Sequence, residues 1–117
     1  GKIQIKDANL PQCFELNGFD VVDCNIKGNI TDCDIFSSEI GDSSLKRCNL
    51  FGSSVIKASK LEDSYVNRNV VAEDCFVSGF NGVFSGEMEG GVFRKGKITN
   101  LARISSETDV VEYEKIK

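Results

Sequence analysis

"SSEIGDSSLKRCNLFGSSVIK", residues 37–57, is the stretch that decides the fold. Ile40, Leu45, Leu50 and Val55 stand five residues apart. Neither a helix, with about 3.6 residues per turn, nor a strand, with about two, keeps that spacing on one face. Two residues before each apolar centre stands a small one: Ser38, Ser43, Cys48 and Ser53. The series extends outward through Ile30 and Ile35, and after a one-residue slip through Leu61, Val66 and Val71. Further slips pass Val77 and give Val83, Met88, Phe93 and Ile98, with Ile104 beyond. The small partners continue as Gly28, Cys33, Ser59, Ser64, Asn69, Cys75, Asn81, Gly86, Gly91, Gly96 and Ala102, and Cys24 precedes Ile26 in the same way.

A five-residue unit with a small residue and a large apolar one two positions later points both side chains inward and leaves three to solvent. Such units stack as the coils of a solenoid, one rung above another at the spacing of paired strands. Four units to a coil of about 20 residues put Ile30, Leu50, Val71 and Phe93 on one face, and Ile35, Val55, Val77 and Ile98 on the next. Ile40, Leu61, Val83 and Ile104 then form a third face, and Ile26, Leu45, Val66 and Met88 a fourth.

The residues "CDIFS SEIGD SSLKR CNLFG SSVIK" resemble the pentapeptide-repeat family. That resemblance implies an all-β domain, a short right-handed quadrilateral parallel β-helix of about four coils, over residues 24–104. Ser, Cys and Gly stand where that family favours Ala, and Ile or Val often replaces Leu. Residues 1–23 and 105–117 lack the five-residue rule and are expected as atypical caps, since bare ends would expose strand edges. The slips near residues 57, 76, 80 and 102 predict bulges at corners.

With 117 residues, 14 Lys and Arg against 18 Asp and Glu, and a net charge of −4, the chain has no basic run for phosphate neutralisation. No direct nucleic-acid partner is expected. No segment approaches the roughly 18 apolar residues of a membrane helix, so no membrane partner is expected either. The chain has no His, no C-x-x-C and no nucleophile with a neighbouring base, which excludes the usual zinc site and points away from an enzyme, a cofactor or a small-molecule substrate. Glycines 86, 91 and 96 keep the five-residue spacing and continue the solenoid; no P-loop Lys-Ser/Thr follows them.

The cysteines read as reduced core fillers, which implies a reducing compartment, cytoplasm or a virion. Cys13 over Cys33 is the one pair the spacing brings near; Cys33 and Cys75 share a column two coils apart. Glu39, Asp42, Glu62 and Asp63 are expected on one face beside Lys57 and Lys60. Phe36, Phe51, Ile56, Val70, Phe76 and Val92 fall one position from a centre, where solvent is expected, and form the candidate protein interface. The function expected is a non-catalytic structural or interaction module joining copies of itself or a larger assembly, a phage or viral particle among the settings. The alternatives are a DNA-mimicking inhibitor of a topoisomerase-like enzyme and a filament former resembling bactofilins.

Overall fold

The computed structural model describes residues 2–116, apart from the side chains of Cys13 and Phe14. Its secondary structure is eighteen strands in one parallel sheet wound on itself. The first six are β1 (Ile3–Lys6), β2 (Asn9–Asn17), β3 (Phe19–Val22), β4 (Asn25–Thr31), β5 (Asp34–Phe36) and β6 (Glu39–Gly41). Next come β7 (Ser44–Lys46), β8 (Asn49–Phe51), β9 (Val55–Lys57), β10 (Lys60–Glu62), β11 (Tyr65–Val66) and β12 (Val71–Glu73). The last are β13 (Phe76–Ser78), β14 (Val83–Phe84), β15 (Glu87–Glu89), β16 (Val92–Ile98), β17 (Arg103–Ile104) and β18 (Asp109–Lys115).

The pairing register shows three sides rather than four. Ile30 pairs with Leu45 and Ile35 with Leu50, one coil being 15 residues, while Ile40 pairs with Ile56 and Leu45 with Leu61, one coil being 16. Face A stacks Ile5, Val21, Ile35, Leu50, Val66, Phe84 and Ile98. Face B stacks Leu10, Ile26, Ile40, Ile56, Ala72, Met88 and Ile104. Face C stacks Leu16, Ile30, Leu45, Leu61, Val77, Phe93 and Val110. The solenoid therefore has about seven turns in place of about four, and the longest dimension is 34 Å. Strands β2, β4, β16 and β18 each bend round a corner and serve two faces.

The five-residue rule holds because each side is the same length; the number of sides is set at the corner. Two residues after a centre the backbone turns into the left-handed region, at Asp7, Asp23, Asp32, Ser37, Asp42, Arg47, Ala58, Asp63, Asp74 and Lys95. Asp tolerates that conformation better than most residues, and Gly takes it at Gly18, Gly52, Gly79 and Gly90.

The small inward residue follows each turn and closes it. Ser38 Oγ accepts the Cys24 N–H at 3.1 Å and donates to the Phe36 carbonyl at 2.9 Å. Ser43 accepts from Gly28 N–H at 2.9 Å and donates to Gly41 at 2.8 Å; Ser59 accepts from Ser43 N–H at 3.0 Å and donates to Lys57 at 2.8 Å. Ser54 and Ser64 repeat the pattern on Ser38 and Cys48. A corner N–H that the turn removes from the ladder thus finds a hydroxyl in the next coil, which an alanine would not supply. Among the described residues no buried side-chain polar atom is left without a partner.

The lower coils combine Ile and Leu centres with Cys and Ser corners, whereas the upper coils combine Phe84 and Phe93 with glycine corners. The two rings meet edge to face with centroids 5.8 Å apart, and a Cβ on Gly96 would lie 2.6 Å from the Phe93 ring. Volume gained at the centres is released at the corners, as close packing demands.

Three expected centres move by one residue. Ile56, Ala72 and Phe84 point inward, and not Val55, Val71 and Val83; the small partners become Ser54, Val70 and Gly82. The added residues sit in corners, at Gly52–Ser53, at 67–69 and at 79–81; the first two fall before the strands they were expected to follow, and the third where the slip near residue 80 was expected. The segments expected as caps also enter the ladders: β1, β2 and β3 form the first coil and a third, and β18 runs along β16 over two faces.

Candidate interaction surfaces

Outward positions on each face alternate with the buried centres, so their side chains stack from coil to coil. On face A, Phe36 lies directly below Phe51, with ring centroids 5.0 Å apart and planes 16° from parallel. Tyr65 joins from the adjoining position, 6.2 Å from Phe51 at 40°. Val22 sits below Phe36 in the same column. Phe36 is 36% and Tyr65 40% exposed, and Phe51 is half-buried between them, so the column faces solvent and no loop among the described residues covers it.

On face C, Phe76 is exposed and lies under the half-buried Val92. Phe80, in the inserted corner at 79–81, is exposed as well. The proposed interface residues Ile56 and Val70 are elsewhere: both are 0% exposed, in the core. The one-residue corner insertions before them turn each over, since a slip of one exchanges inside and outside. Tyr65, one position before the centre Val66, meets the same rule as Phe76 and Val92 and was legible from the spacing, whereas Phe80 belongs to a corner outside the repeat.

The acidic strip does not assemble. Glu39 lies on face B and Asp42 at the B–C corner, whereas Glu62 lies on face C and Asp63 at the C–A corner. Asp42 pairs with Lys27 at 3.2 Å, Glu62 with Lys46 at 3.4 Å, and Lys57 with Glu73 at 3.7 Å. Arg47 pairs with Asp32 at 3.0 Å and holds its carboxyl below the usual range. These exposed pairs join successive coils and each contributes little, about 0–1 kcal/mol where they are partly buried. Asp34 is better supported: Asn49 donates to it at 2.8 Å and Lys2 pairs with it at 3.1 Å, and both keep the carboxyl ionised below its ordinary range.

The cysteines are corner fillers. Cys24, Cys33, Cys48 and Cys75 are free and buried. Their thiols donate to carbonyls two residues back, Cys75 to Glu73 at 3.3 Å and Cys33 to Thr31 at 3.3 Å. With 15 residues to that coil, Cys48 lies over Cys33, a neighbouring pair that a four-sided coil would have separated. The possible approach of Cys13 to Cys33 falls outside the described side chains. Burial pushes the thiols of Cys48 and Cys75 up to about 11 from 9.0. Brief alkylation of the native protein at pH 8 is therefore expected to leave all four unlabelled by mass spectrometry, with full labelling once denatured. Since the unfolded thiols ionise first, stability declines as pH rises through that same window.

Two of the surface's concavities lie beside Phe76 and at the end of the solenoid. A shallow groove of about 650 Å³ along the B–C corner is lined by Asp42, Ala58, Lys60, Asp74 and Phe76. A recess of about 320 Å³ opens at the C-terminal end among Ile98, Ala102, Ile104, Val110 and Tyr113. Among the described residues no cluster of His, Cys, Asp or Glu is placed to hold a metal.

No protein-family model matches the chain, and no curated protein matches it. Among solved structures it is similar to trypsin-treated QnrB1, a plasmid-mediated fluoroquinolone resistance protein, at 9% identity over 99% of this chain and 92% of that one, with a TM-score of 0.26. What the chain itself shows is a parallel β-solenoid built on the five-residue repeat.

Proposed function

We propose that the chain is a non-catalytic protein-interaction module that docks a protein partner side-on through face A. The observation that carries this is the stacked pair Phe36–Phe51 with Tyr65 tilted beside it, outward at positions where the repeat elsewhere places Asp, Asn, Lys and Ser. Aromatic rings stacked on a rigid sheet contribute large contact area at small entropic cost, the usual character of binding hot spots. Phe76 and Val92, on face C beside the B–C corner, and Phe80, in the C–A corner, lie outside this column. A solenoid whose corners are hydrogen-bonded coil to coil presents that column without rearrangement. The buried, reduced cysteines support residence in a reducing compartment.

The test is capture of binding proteins by the immobilised domain and by its Phe51→Glu variant. Phe51 is outward, so the fold is retained, which an unchanged thermal melt verifies. A partner held by the parent protein and released at least about tenfold more readily by the variant supports the reading. Equal capture by both places the docking surface elsewhere.

A further inference from the structure

We propose that the two ends of the solenoid are mates, and that the chain stacks head to tail on a second copy of itself. Every coil pairs in parallel with the coil before it, so its upper edge matches a lower edge of the same kind. Among the described residues, no strand lies beyond β1 and β2 at one end or beyond β17 and β18 at the other. The recess at the C-terminal end, where Thr99, Asn100 and Lys115 join the apolar lining, is the place where an eighth coil would sit.

The corner column between faces C and A identifies the occupant. Between its ends that column is filled by Phe19, Cys33, Cys48, Ser64, Gly82 and Gly96. It begins with Ile3, which pairs with Phe19, and ends with Tyr113, which pairs with Gly96. Within this column these two are the exposed side chains, 72% and 55%. A copy placed one coil further along the axis seats its Ile3 on Tyr113, so each covers the other. In the same register Lys2 follows over Glu112, and Ile5 over Lys115 of β18, so a strand flanked by Lys2 and Lys6 meets one bearing Glu112 and Glu114.

On face B the entering strand carries Pro11, which has no N–H to give, so that side lacks one ladder bond. Glu15 over Asp109 on face C is the one like-charged match. Strand direction is the same in all three ladders, so translation alone preserves parallel pairing; the operation does not close, and copies add in a row. This surface is separate from the face A column, and Phe51→Glu leaves it untouched.

Sedimentation velocity of the 117-residue chain at rising concentration reads the outcome. A series of species that lengthens with concentration is expected. Ile3→Lys and Tyr113→Lys, both at exposed positions, should each weaken assembly at least about tenfold. Their equimolar mixture should form a 1:1 complex and nothing larger, because one good end remains on each chain. An unchanged melt of each variant confirms folding. A single species at every concentration, assembly that stops at a dimer, or a mixture that stays monomeric overturns the proposal. So does a Tyr113→Lys variant that assembles alone as the parent protein does.

Discussion

Phe84→Ala should cost about 3–5 kcal/mol and lower the thermal midpoint by roughly 10–20 °C. Phe84 is almost fully buried, stacks on Val66 below and Ile98 above, and meets Phe93 edge to face. Truncation removes that contact and leaves a cavity between rungs that the hydrogen-bonded ladders on either side prevent from collapsing. Val83→Ala, one residue earlier and half-buried on the outside, should cost less than about 1 kcal/mol. A differential scanning measurement on the two variants therefore reads directly which of the neighbouring residues is the centre. Equal losses would mean that the corner at 79–81 is placed wrongly.

Gly91→Ser should destabilise by about 2–5 kcal/mol, although serine occupies the same column at Ser43 and Ser59. The repeat alone makes this exchange look harmless. Gly91, however, has φ of +73°, and a Cβ there would run into the carbonyl oxygen and amide nitrogen of Cys75 in the coil below. Left-handed strain and a collision with backbone that cannot yield act together, so the loss should exceed that of an ordinary corner substitution. Denaturant titration with an unchanged slope and a lowered midpoint is the expected signature. A midpoint equal to the parent's would show that the upper coils are wider than described.

The period of five was enough to locate most of the rungs. Ile30, Ile35, Ile40, Leu45 and Leu50, then Leu61, Val66, Val77, Met88, Phe93 and Ile98, all point inward as the spacing requires. It could not count the sides, because a period fixes how long a side is and is silent about the angle at its end. That angle belongs to the residue two after each centre. Its preference for Asp and Gly, in Asp23, Asp32, Asp42, Asp63 and Asp74 and in Gly52, Gly79 and Gly90, was the available signal. The slips failed locally where the sequence is degenerate. Ser53 and Ser54 are equally small and Val55 and Ile56 equally apolar, so nothing but the turn at Gly52 tells one register from the other.

The same degeneracy divided the candidate interface. Phe36, Phe51, Phe76 and Val92 lie beside centres whose register was unambiguous, and they face outward. Ile56 and Val70 follow corner insertions and are core. Ile3 and Tyr113 lie where the five-residue rule is not visible, so their shared column emerges only once the first and last strands are seen to run in the same ladders.

The corner serines give the molecule a unit of length. Each hydroxyl reaches only from its own coil to the one before, so the coil, 15 or 16 residues long, is the smallest piece that can be added while repeating the same contacts. A duplicated coil adds one strand spacing, about 4.8 Å, to the rod and repeats contacts already present. A single residue gained within a strand turns the remainder of that side inside out. Length in this architecture therefore changes in steps, and the corners, where Gly52–Ser53 and residues 79–81 are already accommodated, are the places at which sequence can vary between those steps.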